Sequence, residues 1–384
     1  MSPEKATPGD PPRMTLLLTG DVMTGRGIDQ IQPHPSDPTL YEPYVLDARG
    51  YLRLAEQANG PLPLSVSPDY IWGDALAVIE AAQPDRRIIN LETAVTTVDD
   101  PWPDKGINYR MHPANMDCLT AAAPDCCVLA NNHVIDWGRD GLTETIEALA
   151  AAGIQACGAG GDDVQAAAPA ILPRPDGGRL LVFAIGHGSS GIPDDWAAGP
   201  ASAGVNYLPD LSTESLERLA ERIEAIREPG DQVMLSIHWG GNWGYEIPEE
   251  QRAFAHGLID RGTVDLIHGH SSHHPKAMEV HRGRLILYGC GDFLNDYEGI
   301  AGHERFRGEL SLAYLPTLCD GRLITLRMLP FRIRRFRLER APDEAVDWLA
   351  ETLDREAGRF GLSVERLGDE LALDWPGRNR SVSG

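Results

Sequence analysis

Along most of the chain, short apolar runs alternate with longer amphipathic stretches. The runs at 15–18, 87–91, 126–129, 180–185, 233–237, 264–267 and 285–288 each pass into a polar turn, and their length and composition predict strands. Between them, "LTETIEALAAAG" (142–153) reads as a helix ended by Gly153. In "TESLERLAERIEAIREPG" (213–230), Leu216, Leu219, Ala220 and Ile223 fall on one face of a helix. The segment 248–262 opens with Pro248 and two glutamates, as a helix start should, and closes on Gly262. Strands alternating with helices predict an α/β layered fold.

Three regions break this rhythm. Residues 1–13 are polar and Pro-rich and are expected to be disordered. Residues 31–70 carry seven prolines and scattered tyrosines, too many residues for an ordinary connection; they read as an insertion, either a lid or a plain structured excursion. The segment 321–340 reads as extended, and its apolar parity flips at Arg334-Arg335, which predicts a bulge or bend there. The five arginines of 332–340 either form a solvated face or receive an anionic ligand. A helix over 342–358 and a polar tail follow, so the expected organisation is one large domain over 14–340 and a C-terminal helix and tail over 341–384.

Composition narrows the field. With 42% hydrophobic and 24% charged residues in 384, the chain is globular, and a net charge of −23 argues against a nucleic-acid partner. The six cysteines show no CxxC spacing and sit in apolar surroundings, as reduced thiols do. No run reaches transmembrane length, so no membrane partner and a cytoplasmic location are expected. "GAGGDD" (158–163) lacks the GxGxxG and Walker patterns, so no nucleotide is expected.

The chemistry gathers at strand ends. The first run ends in Asp21, the second in Asn90 and Glu92, the third in Asn131, Asn132 and His133. Later runs end in His238 and in His268 and His270, the last opening "HGHSSHHP" (268–275). Ligands of α/β sheets collect at carboxyl ends of strands, so five segments would aim carboxylates, amides and imidazoles into one cleft. Without cysteine among them, the set suits a divalent cation with oxygen and nitrogen donors. His187 ends another strand and could approach. His34, His112, His256, His281 and His303 read as surface or packing residues, with His268 and His274 as bystanders.

The stretches "GDVMTGRG" (20–27), "NLETAVT" (90–96), "NNHVIDWGRDGLTETIEAL" (131–149), "LIDRGTVDLIHGHSSHHP" (258–275) and "LILYGCGDFLND" (285–296) resemble, in order and spacing, the CapA family of the calcineurin-like metallophosphatase superfamily. The resemblance implies a β-sandwich of mixed sheets flanked by helices, with the site on loops at one edge. It implies metal ligands at Asp21, Glu92, Asn132, His238 and His270, and proton handling by His133 and His273. The superfamily's Asp-x-His opening is absent, since Val22 and Met23 follow Asp21, which predicts one hard ion (Ca²⁺, Mn²⁺ or Mg²⁺) rather than a pair.

The group also includes soluble enzymes that epimerise the C-terminal residue of lasso peptides. Epimerisation needs two facing acid/base groups and a positive charge for the enolate. His133 and His273, oriented by Asp21, Asp136 or Asp296, would supply the first, and a cation near the peptide carboxylate the second. The expected function is therefore a metal-dependent acid/base enzyme acting on a peptide, with Asp21, His133, His273 and Asp296 as catalytic residues. Two alternatives stand beside it: a metal-dependent hydrolase of phosphoesters or γ-glutamyl amides, and a non-catalytic polyanion- or peptide-binding protein.

Overall fold

The computed structural model describes residues 13–378. The expectation of disorder over 1–13 lies outside these residues apart from Arg13, which begins the first strand. Two mixed sheets stack face to face. In the first, the strands run in spatial order Ser363–Leu367, Glu370–Asp374, Arg322–Ile333, Leu310–Cys319, Arg13–Val22, Arg86–Leu91, Cys126–Val128 and Gln155–Cys157. In the second, Tyr207–Leu208, Arg179–His187, Gln232–His238, Leu266–His270, Arg284–Leu287 and Met278–His281 follow one another. All seven sequence-predicted strands are present, with ends displaced by a few residues.

Side chains of a strand alternate between faces, and this alternation builds the layers. Leu16, Leu18, Ile88 and Val128 of the first sheet meet Val182, Met234, Leu266 and Leu285 of the second in the sandwich interior. Leu17, Ile89 and Cys127 point the other way, towards helices Arg49–Asn59, Ala75–Ala82 and Gly138–Ala151. Phe183, Leu235 and Ile267 leave the second sheet outward, beneath helices Thr213–Ile226 and Glu249–Asp260. The result is the α/β sandwich of mixed sheets flanked by helices, as in the metallophosphatase-like fold.

Two expectations are refined. Of the bulge or bend expected at Arg334-Arg335, the structure has the bend, carried to a full chain reversal. Arg335 and Phe336 both take positive φ (56° and 54°), and Ile333 pairs antiparallel with Leu338 across them. Two left-handed residues make the tight hairpin loop whose twist suits flanking strands. The segment after the last helix (Asp343–Gly358) is also no mere tail. Ser363–Leu367 and Glu370–Asp374 form a hairpin that joins the first sheet through Arg327 and Met328, burying Leu371 and Leu373.

The Pro-rich stretch 31–70 holds the helix Arg49–Asn59 and folds against the sandwich. Its Tyr51 and Asn59 form part of a cavity wall beside the strand ends. All six cysteines are free, five of them buried. Among the described residues no helix is long and apolar enough to cross a membrane.

Candidate metal centre

Asp21 stands at the point where three strand ends meet. The register between Arg13–Val22 and Arg86–Leu91 shifts between Thr19 and Asp21, so Gly20 is an extra residue that re-aims the aspartate. On the other side Asp21 is the register partner of Asp292, in a parallel pairing of two Gly-Asp dipeptides. The approach needs glycine: a Cβ on Gly20 would lie 1.8 Å from the Gly291 carbonyl oxygen, and Asp21 N–H donates to that oxygen at 3.1 Å.

Around Asp21 the carboxylates crowd. Asn90 donates its amide to Asp21 Oδ1 at 2.7 Å and to Glu92 Oε2 at 3.1 Å. Asn131 donates to Asn90 Oδ1 at 3.0 Å and so fixes which way that amide faces. Burial, then the neighbouring Asp292, push the Asp21 carboxyl up to about 7; burial and the same two aspartates raise Glu92 well above the carboxylate range. Asp21 Oδ2 is buried without a hydrogen-bond partner. Buried like charges are costly unless a cation joins them, so this cluster fits a bound metal ion.

The histidines point to the same conclusion through their tautomers. His268 Nε2 lies 2.9 Å from the Thr19 carbonyl oxygen, which can only accept, so this nitrogen carries the proton. His268 Nδ1 must then accept from the Ser236 hydroxyl (3.1 Å), and Ser236 Oγ in turn accepts from His270 Nε2 at 2.8 Å. His270 is left with a bare Nδ1. His238 Nε2 donates to Asn132 Oδ1 at 2.8 Å, which leaves its Nδ1 bare as well. Burial holds both imidazoles well below their ordinary pKa, hence neutral. The two bare nitrogens face each other at 2.6 Å, with Asp21 Oδ1 4.0 Å from His270 Nδ1. Neutral imidazoles oriented through their second nitrogen are the usual form of metal-binding histidine.

Asp21 also belongs to a second donor group. His273, Asp292 and Asp21 each offer an atom within 4.8 Å of the others, as Asp21, His238 and His270 do. Two groups sharing one carboxylate depart from the expected single oxygen-rich site. The first group offers two nitrogens and a carboxylate, because Asn90 holds Glu92 and Asn132 caps His238. Such donors suit a divalent cation such as Zn²⁺, Fe²⁺ or Mn²⁺, the last of these among the ions expected from the sequence.

The two proton-handling candidates are each locked by a carboxylate. His133 Nδ1 lies 2.6 Å from Asp136 Oδ2, its Nε2 faces Glu92 Oε1 at 3.8 Å, and burial lowers its pKa to about 4. His273 Nδ1 lies 2.9 Å from Asp292 Oδ1, and Asn242 donates to its Nε2 at 3.0 Å. Burial alone would lower His273, but Asp292 and Asp21 outweigh it and raise its pKa.

Asp296 does not take the expected proton role, because Arg26 and the Gly27 N–H engage both of its oxygens. It serves Arg26, whose guanidinium also meets Glu42 and the Tyr51 ring. Sequence reasoning missed Asp292, although its Gly-Asp after an apolar run repeats the signal that marked Asp21.

The other histidines separate cleanly. His187 braces Ser189 (2.7 Å) in a short turn and stays out of the centre. His274 accepts from Gly244 N–H at 3.1 Å and stacks on Phe306, a packing role. His303 stacks on Trp243 at 4.0 Å and lines the cavity. That cavity, about 630 Å³, borders the centre at His273 and Asn242 and continues past Trp243, Tyr297 and Arg26. Arg332 and Arg334 line its far wall, partly committed to Glu339.

The chain is similar in sequence to several known proteins. Over 375 residues the chain is 48% identical to a Mycobacterium tuberculosis (strain H37Rv) protein named "Probable polyglutamine synthesis accessory protein", covering 97% of this chain and 98% of that one. It is 26% identical over 294 residues to the capsule biosynthesis protein CapA of Bacillus anthracis, spanning 74% of this chain and 60% of that protein. The PGA biosynthesis protein CapA of Bacillus subtilis is likewise 26% identical, over 284 residues. Residues 15–297, which carry every strand end of the centre, match the family described as "Bacterial capsule synthesis protein PGA_cap", and the chain belongs to that family.

Proposed function

We propose that this chain is a metal-dependent enzyme of glutamate-polymer metabolism that hydrolyses γ-glutamyl amide bonds. One observation carries the reading: the bare Nδ1 atoms of His238 and His270 converge beside Asp21, and Asp21 also groups with His273, which lines a cavity of about 630 Å³, large enough for a peptide segment. A bound divalent cation supplies Lewis acidity to the carbonyl it touches. Asp21, His238 and His270 hold it, while Ser236 and His268 keep His270 in the binding tautomer. His273, fixed by Asp292 through Nδ1, would take the proton of the attacking water on Nε2, in place of the Asn242 amide bond, and pass it to the leaving amine. The names of the relatives, polyglutamine synthesis for the mycobacterial protein and capsule or PGA biosynthesis for the Bacillus ones, support a polymeric substrate of this amino-acid type.

A second reading is epimerisation at Cα of a C-terminal residue. It draws on a specific feature: His133 and His273 come from different segments and each has its own carboxylate, giving two independent acid/base couples. One experiment separates the readings. A γ-glutamyl oligomer is incubated with the metal-loaded protein in parallel in H₂¹⁸O and in D₂O. Hydrolysis puts ¹⁸O into a new carboxylate of a shortened chain. Epimerisation puts deuterium at Cα of an intact one. Neither label above a metal-stripped control would overturn both.

A further inference from the structure

At the outer edge of the second sheet, away from the centre, four donor residues converge from two rigid elements. His256 and Asp260 sit four residues apart on helix Glu249–Asp260, hence on one face. Glu279 and His281 sit two apart on the edge strand Met278–His281, again on one face. The two imidazoles stack with centroids 3.8 Å apart and planes 6° from parallel. His256 Nε2 lies 2.9 Å from Glu279 Oε1, and His281 Nε2 lies 2.6 Å from Asp260 Oδ1. Donor atoms of His256, Glu279 and His281 all fall within 4.8 Å of one another.

We propose that His256, Glu279 and His281, with Asp260 as fourth donor, form a second divalent-cation site that takes a borderline ion such as Zn²⁺. Two imidazoles with carboxylates suit that ion class. His256 and Glu279 are hydrogen-bonded at 2.9 Å, and an ion bonded tetrahedrally at about 2.0–2.2 Å would open that spacing by only about half an ångström. Glu279 has the outer support that metal-binding carboxylates commonly have: the buried Tyr288 hydroxyl donates to Oε2 at 2.8 Å and turns Oε1 towards His256. Arg282 meets Asp260 at 2.8 Å and Arg252 lies 3.9 Å from Glu279, so the ion competes with two guanidinium groups. Binding requires the stacked rings to tilt until their lone pairs converge. Their side chains are 24% and 22% exposed, which leaves room for that rotation and gives an ion access from solvent. A bound ion would tie the helix to the edge strand.

The site is independent of the proposed catalysis, and Zn²⁺ alone tests it. Stripped protein is dialysed to equilibrium against Zn²⁺ for the parent chain, for His256→Ala/His281→Ala, and for the single variant His281→Asn, with thermal unfolding confirming that each is folded. The variants should bind one equivalent less than the parent, and Zn²⁺ should raise the unfolding midpoint less in them. Equal stoichiometry in a folded variant overturns the site. Retention of one equivalent by His238→Ala/His270→Ala supports it, and loss of all Zn²⁺ from that folded variant overturns it.

Discussion

His238 and His270 turn unprotonated Nδ1 atoms towards each other at 2.6 Å, an arrangement that two neutral rings sustain only with a cation or a shared proton between them. The hydrogen bonds behind each ring dictate it, from Thr19 through His268 and Ser236 on one side and from Asn132 on the other.

Ser236 is therefore the residue through which the tautomer is set. Ser236→Ala removes both of its bonds and frees His270 to protonate at Nδ1. Metal affinity should fall about 10–100-fold, as for other supporting partners of ligand histidines. Titration with Zn²⁺ or Mn²⁺ measures it; unchanged affinity would break the relay argument.

Asp292 and Asp296, four residues apart, should behave differently. Asp292→Asn weakens the hold on His273 and should reduce turnover of a γ-glutamyl substrate by about 10²-fold or more, the usual range for a disabled proton donor. Asp296→Ala instead leaves Arg26 buried beside a partial set of partners and should cost about 3–5 kcal/mol of stability. The exposed pair Arg49 and Asp47 is the control: Asp47→Ala should change stability by less than about 1 kcal/mol. Urea unfolding of the two alanine variants, with turnover of the Asn variant, decides the assignment.

Gly20→Ala forces a methyl group into the Gly291 carbonyl. Overpacking of this kind costs about 1–3 kcal/mol, and here it also separates Asp21 from Asp292. Loss of metal affinity together with a lower urea midpoint is expected. A variant with parental values for both would refute the close approach.

His268 predicts the acid side of the stability curve. Burial outweighs its bond to Thr19 and lowers its pKa from 6.5 to about 4. The unfolded chain then binds more protons across that window. Stability is fully present above about 6.5 and is lost as pH falls towards 4, by about 2 kcal/mol at pH 5 for this residue alone. Metal-stripped protein unfolded in urea between pH 7.5 and 5 should show the fall, and His268→Gln should lessen it by about that amount, leaving the share of the other buried histidines.

Much of this arrangement is legible in the sequence, because each buried strand passes within a residue or two from apolar runs to the groups of the centre. Asp21, Asn90, Asn132, His133, His238 and His270 can be read that way. Partnerships cannot. Whether His273 meets Asp292 or Asp296 depends on the parallel register that sets Asp21 beside Asp292 and on the turn that sends Asp296 to Arg26. Tautomers depend on carbonyls as remote in sequence as Thr19. The final hairpin was legible in principle, since Leu371 and Leu373 alternate after a Gly-Asp turn, but the charged residues around them (Glu365, Arg366, Asp369, Glu370 and Asp374) give the stretch the look of a tail.

The pairing of Gly20 with Gly291 also sets an order of events during synthesis. Asp21 emerges early, but its neighbour Asp292 follows about 270 residues later, and the strand Leu310–Cys319 that flanks the first strand comes later still. Contacts so distant along the chain form late in folding. A chain released before residue 292 keeps the early strands and all of Asp21, His238 and His270, yet lacks the carboxylate that fixes His273, so the proton-handling half of the centre is the part completed last.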